Sequence, residues 1–131
     1  MIKFAPILFL GFAMASSAAI TAGEYAGTYQ SGDGTIEGKT RTILVQKDGA
    51  PWECRFFFTY EGQEYQGKTT SCEIGADTLK AQYDAEMDSG VIHTKMDGKA
   101  SGEASMEGTY VSSDQSGSTV SEGKWKTSLH P

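Results

Sequence analysis

Polarity alternates along most of this chain, and turn signals interrupt the alternation at short intervals. Cys54, Phe56, Phe58 and Tyr60 are interleaved with Arg55 and Thr59, and Leu79, Ala81, Tyr83, Ala85 and Met87 with Lys80, Gln82, Asp84 and Glu86. A period of two marks a strand that buries one face. The interruptions fall at Ser31-Gly32-Asp33-Gly34, Asp48-Gly49, Glu61-Gly62, Gly75-Ala76-Asp77, Ser89-Gly90, Asp97-Gly98 and Ser116-Gly117. Strands at this spacing, without helical stripes between them, predict an all-β fold and exclude βαβ units. Eight strands are expected, at about 24–30, 36–47, 51–60, 65–74, 78–87, 91–97, 101–112 and 118–128. A meander of that length escapes exposed edges by closing on itself. The expected fold is a single eight-stranded antiparallel up-and-down barrel, with a β-sandwich as the alternative.

One hairpin is written twice. Gly27-Thr28-Tyr29, Ser31, Asp33, Glu37-Gly38-Lys39 and Thr42 recur as Gly108-Thr109-Tyr110, Ser112, Asp114, Glu122-Gly123-Lys124 and Thr127. Allowing for Gln115, Ser116, Ser118 and Ser121 as insertions, 11 of the 17 positions from Ala26 to Thr42 are identical. Internal repetition is information about architecture. Here it predicts that the first and last strands pair as the seam of a barrel.

The turns also predict registers. A two-residue Asp48-Gly49 turn pairs Val45 with Trp52 and Ile43 with Cys54. A three-residue loop at Gly62-Gln63-Glu64 pairs Glu61 with Tyr65, and so Cys54 with Cys72. Turns at Ala76-Asp77 and Ser89-Gly90 pair Ile74 with Leu79, Met87 with Ile92 and Tyr83 with Met96. One face then gathers Val45, Trp52, Cys54, Phe56, Phe58, Tyr60, Cys72, Ile74, Leu79, Ala81, Tyr83, Ala85, Met87, Ile92 and Met96. Phe57 is the aromatic exception on the other face. The same registers turn Gln66, Lys68, Thr70, Lys39 and Arg41 inward. A polar half of the interior of that kind would suit a wet cavity for a small ligand. The candidate ligand-binding residues are Arg41, Trp52, Phe56, Phe58, Lys68 and Tyr83, with Arg41 and Lys68 as anchors for an anionic group. A bulge after Thr42 is the competing possibility, and it would turn Arg41 and Lys39 outward.

The N-terminus changes the picture of the compartment. Met1-Ile2-Lys3 precedes an apolar run from Phe4 to Met14 and the small residues Ala15-Ser16-Ser17-Ala18-Ala19. This reads as a signal peptide over 1–19, with an end at 22 as the alternative, followed by one barrel domain over 20–131. The apolar run is too short for a membrane-spanning helix, so no span is expected in the mature chain. Secretion or periplasmic export places Cys54 and Cys72 where a disulfide forms and persists.

Charge excludes one class of partner. The chain carries 17 acidic against 11 basic residues, a net charge of −6. Loss of Lys3 with the leader makes the remainder more negative. An acidic chain without a basic block is a poor nucleic-acid binder. A basic protein partner suits it better. No catalytic or metal-binding constellation is recognisable, and no cofactor is expected. His93 is placed outward opposite Glu86, and the alternating Asp84, Glu86 and Asp88 read as a solvated strand edge. The chain is therefore expected not to be an enzyme.

Gly27-Thr28-Tyr29 near the first strand and Trp125-Lys126-Thr127-Ser128-Leu129 in the last resemble the two ends of small secreted avidin-like and lipocalin-like barrels. Tyr29 stands where those families carry Trp. The resemblance implies a barrel able to hold a ligand. The aromatic box and polar cluster that avidins use for biotin are not identifiable, so biotin binding is not implied. The leading functional expectation is a non-catalytic binding protein for a small lipophilic or anionic ligand. The alternative is an acidic secreted or periplasmic interaction protein, such as an inhibitor of a basic enzyme.

Overall fold

The computed structural model describes residues 19–130. The leader expected over 1–19 lies outside them except for Ala19. Eight strands follow in order: β1 (Gly23–Ser31), β2 (Glu37–Val45), β3 (Glu53–Tyr60), β4 (Gln63–Ile74), β5 (Thr78–Met87), β6 (Gly90–Gly102), β7 (Ser105–Ser113) and β8 (Thr119–Leu129). Each pairs antiparallel with the next, and β1 pairs with β8, closing the barrel. The seam aligns Gly27 with Thr127, Tyr29 with Trp125 and Ser31 with Gly123. The expected up-and-down barrel and its seam are thus both present, and the sandwich is excluded.

The repeat has a structural meaning at its glycines. Gly27 of β1 abuts the Lys126 carbonyl of β8, and its counterpart Gly108 of β7 abuts the Asp97 carbonyl of β6. Gly38 of β2 abuts Thr59 of β3, and its counterpart Gly123 of β8 abuts Gln30 of β1. In both copies the first glycine admits the preceding strand and the second admits the following one. A side chain at any of the four would strike backbone. Inward glycines of this kind let a sheet coil tightly enough to close. Three inward glycines also lie under aromatic rings: Gly38 under Tyr29, Gly67 under Tyr83 and Gly98 under Trp125.

Four turn assignments need correction. The Asp48-Gly49 turn sits at the tip of a seven-residue loop, 46–52, and not in a two-residue hairpin. Leu44 therefore pairs with Cys54 and Val45 with Glu53. That one-residue slip reverses β2, so Leu44 is buried and Arg41 faces outward. Between β3 and β4 the connection is a two-residue Glu61-Gly62 turn, both at positive φ, pairing Tyr60 with Gln63. This turns Gln66 and Lys68 outward and Tyr65 and Gly67 inward. A bulge between Thr69 and Ser71 then restores the expected parity, so Ile74 pairs with Leu79. Between β5 and β6 the register shifts by two residues, which keeps the same face inward: Tyr83 opposes Thr94, and Met87 opposes Gly90. Asp97-Gly98 is not a turn; β6 runs through it, and the chain reverses at 103–104.

One end of the barrel is filled. Leu44, Leu79, Met106 and Tyr25 are almost fully buried there, with Trp52, Ile74 and the Cys54–Cys72 disulfide packed alongside. The segment before β1 completes this end. Ile20 is buried in the core, and its amide donates to the Ala76 carbonyl at 3.3 Å. The Tyr25 hydroxyl donates to the Thr21 carbonyl at 2.6 Å. Replacing Ile20 with alanine removes buried apolar volume from this plug. It should cost about 2 kcal/mol, read as a lower midpoint in urea unfolding with an unchanged slope.

Candidate functional site

Large side chains fill the barrel at the end just described; towards the other end the interior holds a cavity of about 200 Å³. It opens among the loops β1–β2, β3–β4, β5–β6 and β7–β8. Seven strands, all but β4, supply its walls. Tyr29, Phe58, Tyr83, Tyr110 and Trp125 provide aromatic surface, and Met87, Ile92, Met96 and Val120 aliphatic surface. Thr40, Thr94, Ser112 and Ser121 supply hydroxyls. No ionised side chain lines it.

The rings brace one another. Tyr29 stands edge-on to Phe58 at 6.3 Å and to Tyr110 at 5.7 Å, with interplanar angles of 83° and 89°. Phe58 lies against Tyr83 at 6.0 Å, and Tyr83 stacks on Phe56 at 5.3 Å. Hydrogen bonds fix several of these groups. The Tyr29 hydroxyl passes over Gly38 to the Thr59 carbonyl at 2.6 Å. The Trp125 indole N–H donates to the Thr109 carbonyl, Tyr110 bonds Ser121, and Thr94 bonds Ser112. Burial pushes the Tyr29 phenol up to about 12, aided by the nearby Tyr110 and Tyr60 phenols. Burial likewise raises Tyr83 and Tyr110. These phenols stay protonated and uncharged. The Thr40 hydroxyl is buried and has no hydrogen-bond partner, and Thr40 lines the cavity.

The six residues expected to bind ligand are divided by the fold. Phe58 and Tyr83 line the cavity. Phe56 is buried behind Tyr83, and Trp52 packs at the filled end. Arg41 and Lys68 are on the outer surface. Arg41 lies 4.0 Å above the Phe57 ring and pairs with Glu64 at 3.1 Å, with Glu24 at 4.0 Å. The outward Phe57 and the misplaced arginine thus explain each other. Lys68 is exposed opposite Asp84. The sequence reading missed Tyr29, Tyr110 and Trp125 as cavity walls. The repeat held that signal, because its one shared aromatic is Tyr29/Tyr110.

The loops around the opening share one sign of charge. Each carries one carboxylate and no base: Asp33 in 32–36, Glu61 in 61–62, Asp88 in 88–89 and Asp114 in 114–118. No lysine or arginine lies in residues 29–38, 57–67, 84–94 or 108–123. The repeat copies build matching turns here. Asp33 accepts from Ser31 and from the Thr35 amide and hydroxyl, and Asp114 accepts from Ser116 and the Ser118 amide. The Thr35 and Ser31 donors hold the Asp33 carboxyl down at about 2, and Asp114 is lowered for the same kind of reason. A carboxyl lowered in the folded state contributes stability above its ordinary value of 3.8. That contribution is lost as pH falls towards 2. An Asp33→Asn variant should lack this part of the acid transition, which a pH series of thermal melts would show as a smaller fall below pH 4.

His93 meets Asp84 rather than Glu86, at 2.6 Å on the outer face. The pair is on the opposite side of the sheet from the cavity and adds nothing to its lining. Among the described residues, no three His, Cys, Asp or Glu side chains converge where an ion could be held. Among the same residues, no helix is long and apolar enough to cross a membrane. Compared with protein-family models, curated proteins and solved structures, the chain has no match.

Proposed function

We propose that this chain is an exported, non-catalytic binding protein that takes a small lipophilic ligand into the open end of its barrel. The observation that carries this reading is the cavity, with aromatic and aliphatic walls, a few hydroxyls and no ionised group. Binding sites combine apolar surface with a few placed polar groups in this way. Its 200 Å³ falls below the roughly 300–1,000 Å³ of drug-sized clefts, so the ligand is small. The anionic option loses its basis, because Arg41 and Lys68 do not reach the interior. Export is supported by the leader pattern and by the disulfide, which suits an oxidising compartment. Cleavage after Ala19 would leave the Ile20 plug in place.

The test is a titration of the protein with single-ring aromatic and short aliphatic fragments, followed through the Met87 and Met96 methyl resonances. Saturable shifts of those methyls are expected. Fragments that leave both methyls unmoved at millimolar concentration would reject the reading. The all-acidic loops favour one second reading, contact with a basic protein. Saturable binding to such a protein, abolished by salt, would support it.

A further inference from the structure

Two features of the open end exceed what a lipophilic pocket requires. The first is the arrangement of the rings. Tyr29 is close to perpendicular to both Phe58 and Tyr110, so the three rings form adjoining sides of a box. Tyr83, tilted by 31° from Phe58, extends one wall. An aromatic face carries the negative part of the ring quadrupole, and a cation enclosed by several faces is attracted to all of them. The second is the rim. Four loops with one carboxylate each and no base surround this opening. A mouth lined by one sign of charge above low-dielectric walls concentrates ions of the opposite sign. An uncharged ligand would leave that rim without a role, and an anion would be repelled by it.

We infer that the cavity takes a small quaternary ammonium ion. This rests on the small-ligand reading and names the ligand class. A primary ammonium fits less well. It is strongly hydrated, and no carboxylate lines the cavity to replace its water. A quaternary nitrogen has no N–H to satisfy and presents methyl groups to the ring faces. The phenols of Tyr29, Tyr83 and Tyr110 remain neutral, so the cation meets ring faces and hydroxyl dipoles.

The deciding experiment compares choline with 3,3-dimethylbutan-1-ol, the uncharged isostere in which carbon replaces nitrogen. Both are titrated into the intact protein by calorimetry, with the Met87 and Met96 methyls reporting the site. Choline should bind at least tenfold more tightly than the isostere. The rim variant E61Q/D88N, whose changes are both at exposed positions, should weaken choline several-fold and flatten its salt dependence while leaving the isostere unchanged. Tyr110→Leu should remove most of the preference for choline. Because Tyr110 also bonds Ser121, the rim variant and the isostere comparison on the unaltered protein keep the test independent of that variant's folding. Equal binding of the two compounds would overturn the cation inference and leave the small-ligand reading standing. So would shifts by neutral fragments with choline inert. Failure of every small molecule would overturn both. If choline is inert and a basic protein instead shifts the loop resonances, the rim belongs to a protein contact and the inference falls.

Discussion

Gly27→Ala is expected to prevent the barrel from closing, with a cost above about 4 kcal/mol, a range that single substitutions reach only by a severe mechanism. The added methyl would overlap the Lys126 carbonyl and crowd the Thr127 Cα, both backbone atoms of β8. Rotamer changes cannot relieve contact with backbone. Either β1 and β8 separate, breaking the seam ladder, or the strand leaves its pleat. Gly108→Ala should behave the same way against Asp97. Gly49→Ala provides the control. Its φ of 74° strains an alanine, but nothing lies within 4 Å. It should cost only about 1 kcal/mol. Thermal melts of the three variants, with near-ultraviolet circular dichroism to report ring packing, test the argument. If Gly27→Ala were as mild as Gly49→Ala, the close approach of the strands would not be what the repeated glycines serve.

Removing the disulfide with C54A/C72A should cost about 3 kcal/mol, the value for closing a loop of this length in the chain-entropy model. For a domain of this size that lowers Tm by roughly 15 °C. The structure adds a local reason. The β3–β4 ladder runs from Tyr60–Gln63 only as far as Phe56–Gly67. Beyond it, the start of β3 is tied to β4 by the Cys54–Cys72 bridge and by the Thr69 hydroxyl donating to the Cys54 carbonyl at 2.7 Å. Amide exchange in the double variant should therefore rise first around Cys54 and Thr69, at the filled end. The tyrosine-lined cavity at the other end should keep its protection. A uniform loss of protection along all eight strands would contradict this local account.

The residues that led the sequence reading astray share one cause. In a strand, a shift by one residue exchanges the two faces, whereas a shift by two preserves them. The β5–β6 register moved by two, and every inward residue of that hairpin kept its place. The β2–β3 register moved by one, and Arg41 left the interior. The β3–β4 turn was shorter than expected by one residue and began earlier, an odd change, which expelled Lys68. The bulge near Thr70 then compensated, so Cys72 and Ile74 still face inward and the two cysteines still meet. The expected cysteine pairing is present, though the register that suggested it was not. Of the candidate site, Phe58 and Tyr83 were legible because β5 alternates over its full length and β3 does so apart from Phe57. Tyr29 and Trp125 were not, because their strands are rich in Gly, Ser and Thr, and polarity there does not distinguish inside from outside.

By itself, the sequence determined the number of strands, their antiparallel order, the closure of first on last and the disulfide. These follow from local alternation, turn residues and repetition, which are written in consecutive positions. Only the tertiary structure decided that Arg41 and Lys68 stayed outside the barrel, where its cavity lay and that its mouth was ringed by carboxylates. Those properties depend on register parity across loops and bulges, and a single residue in a turn reverses them. The cavity also depends on how six strands place rings against glycines that are far apart in the chain, a matter of packing that no local pattern records.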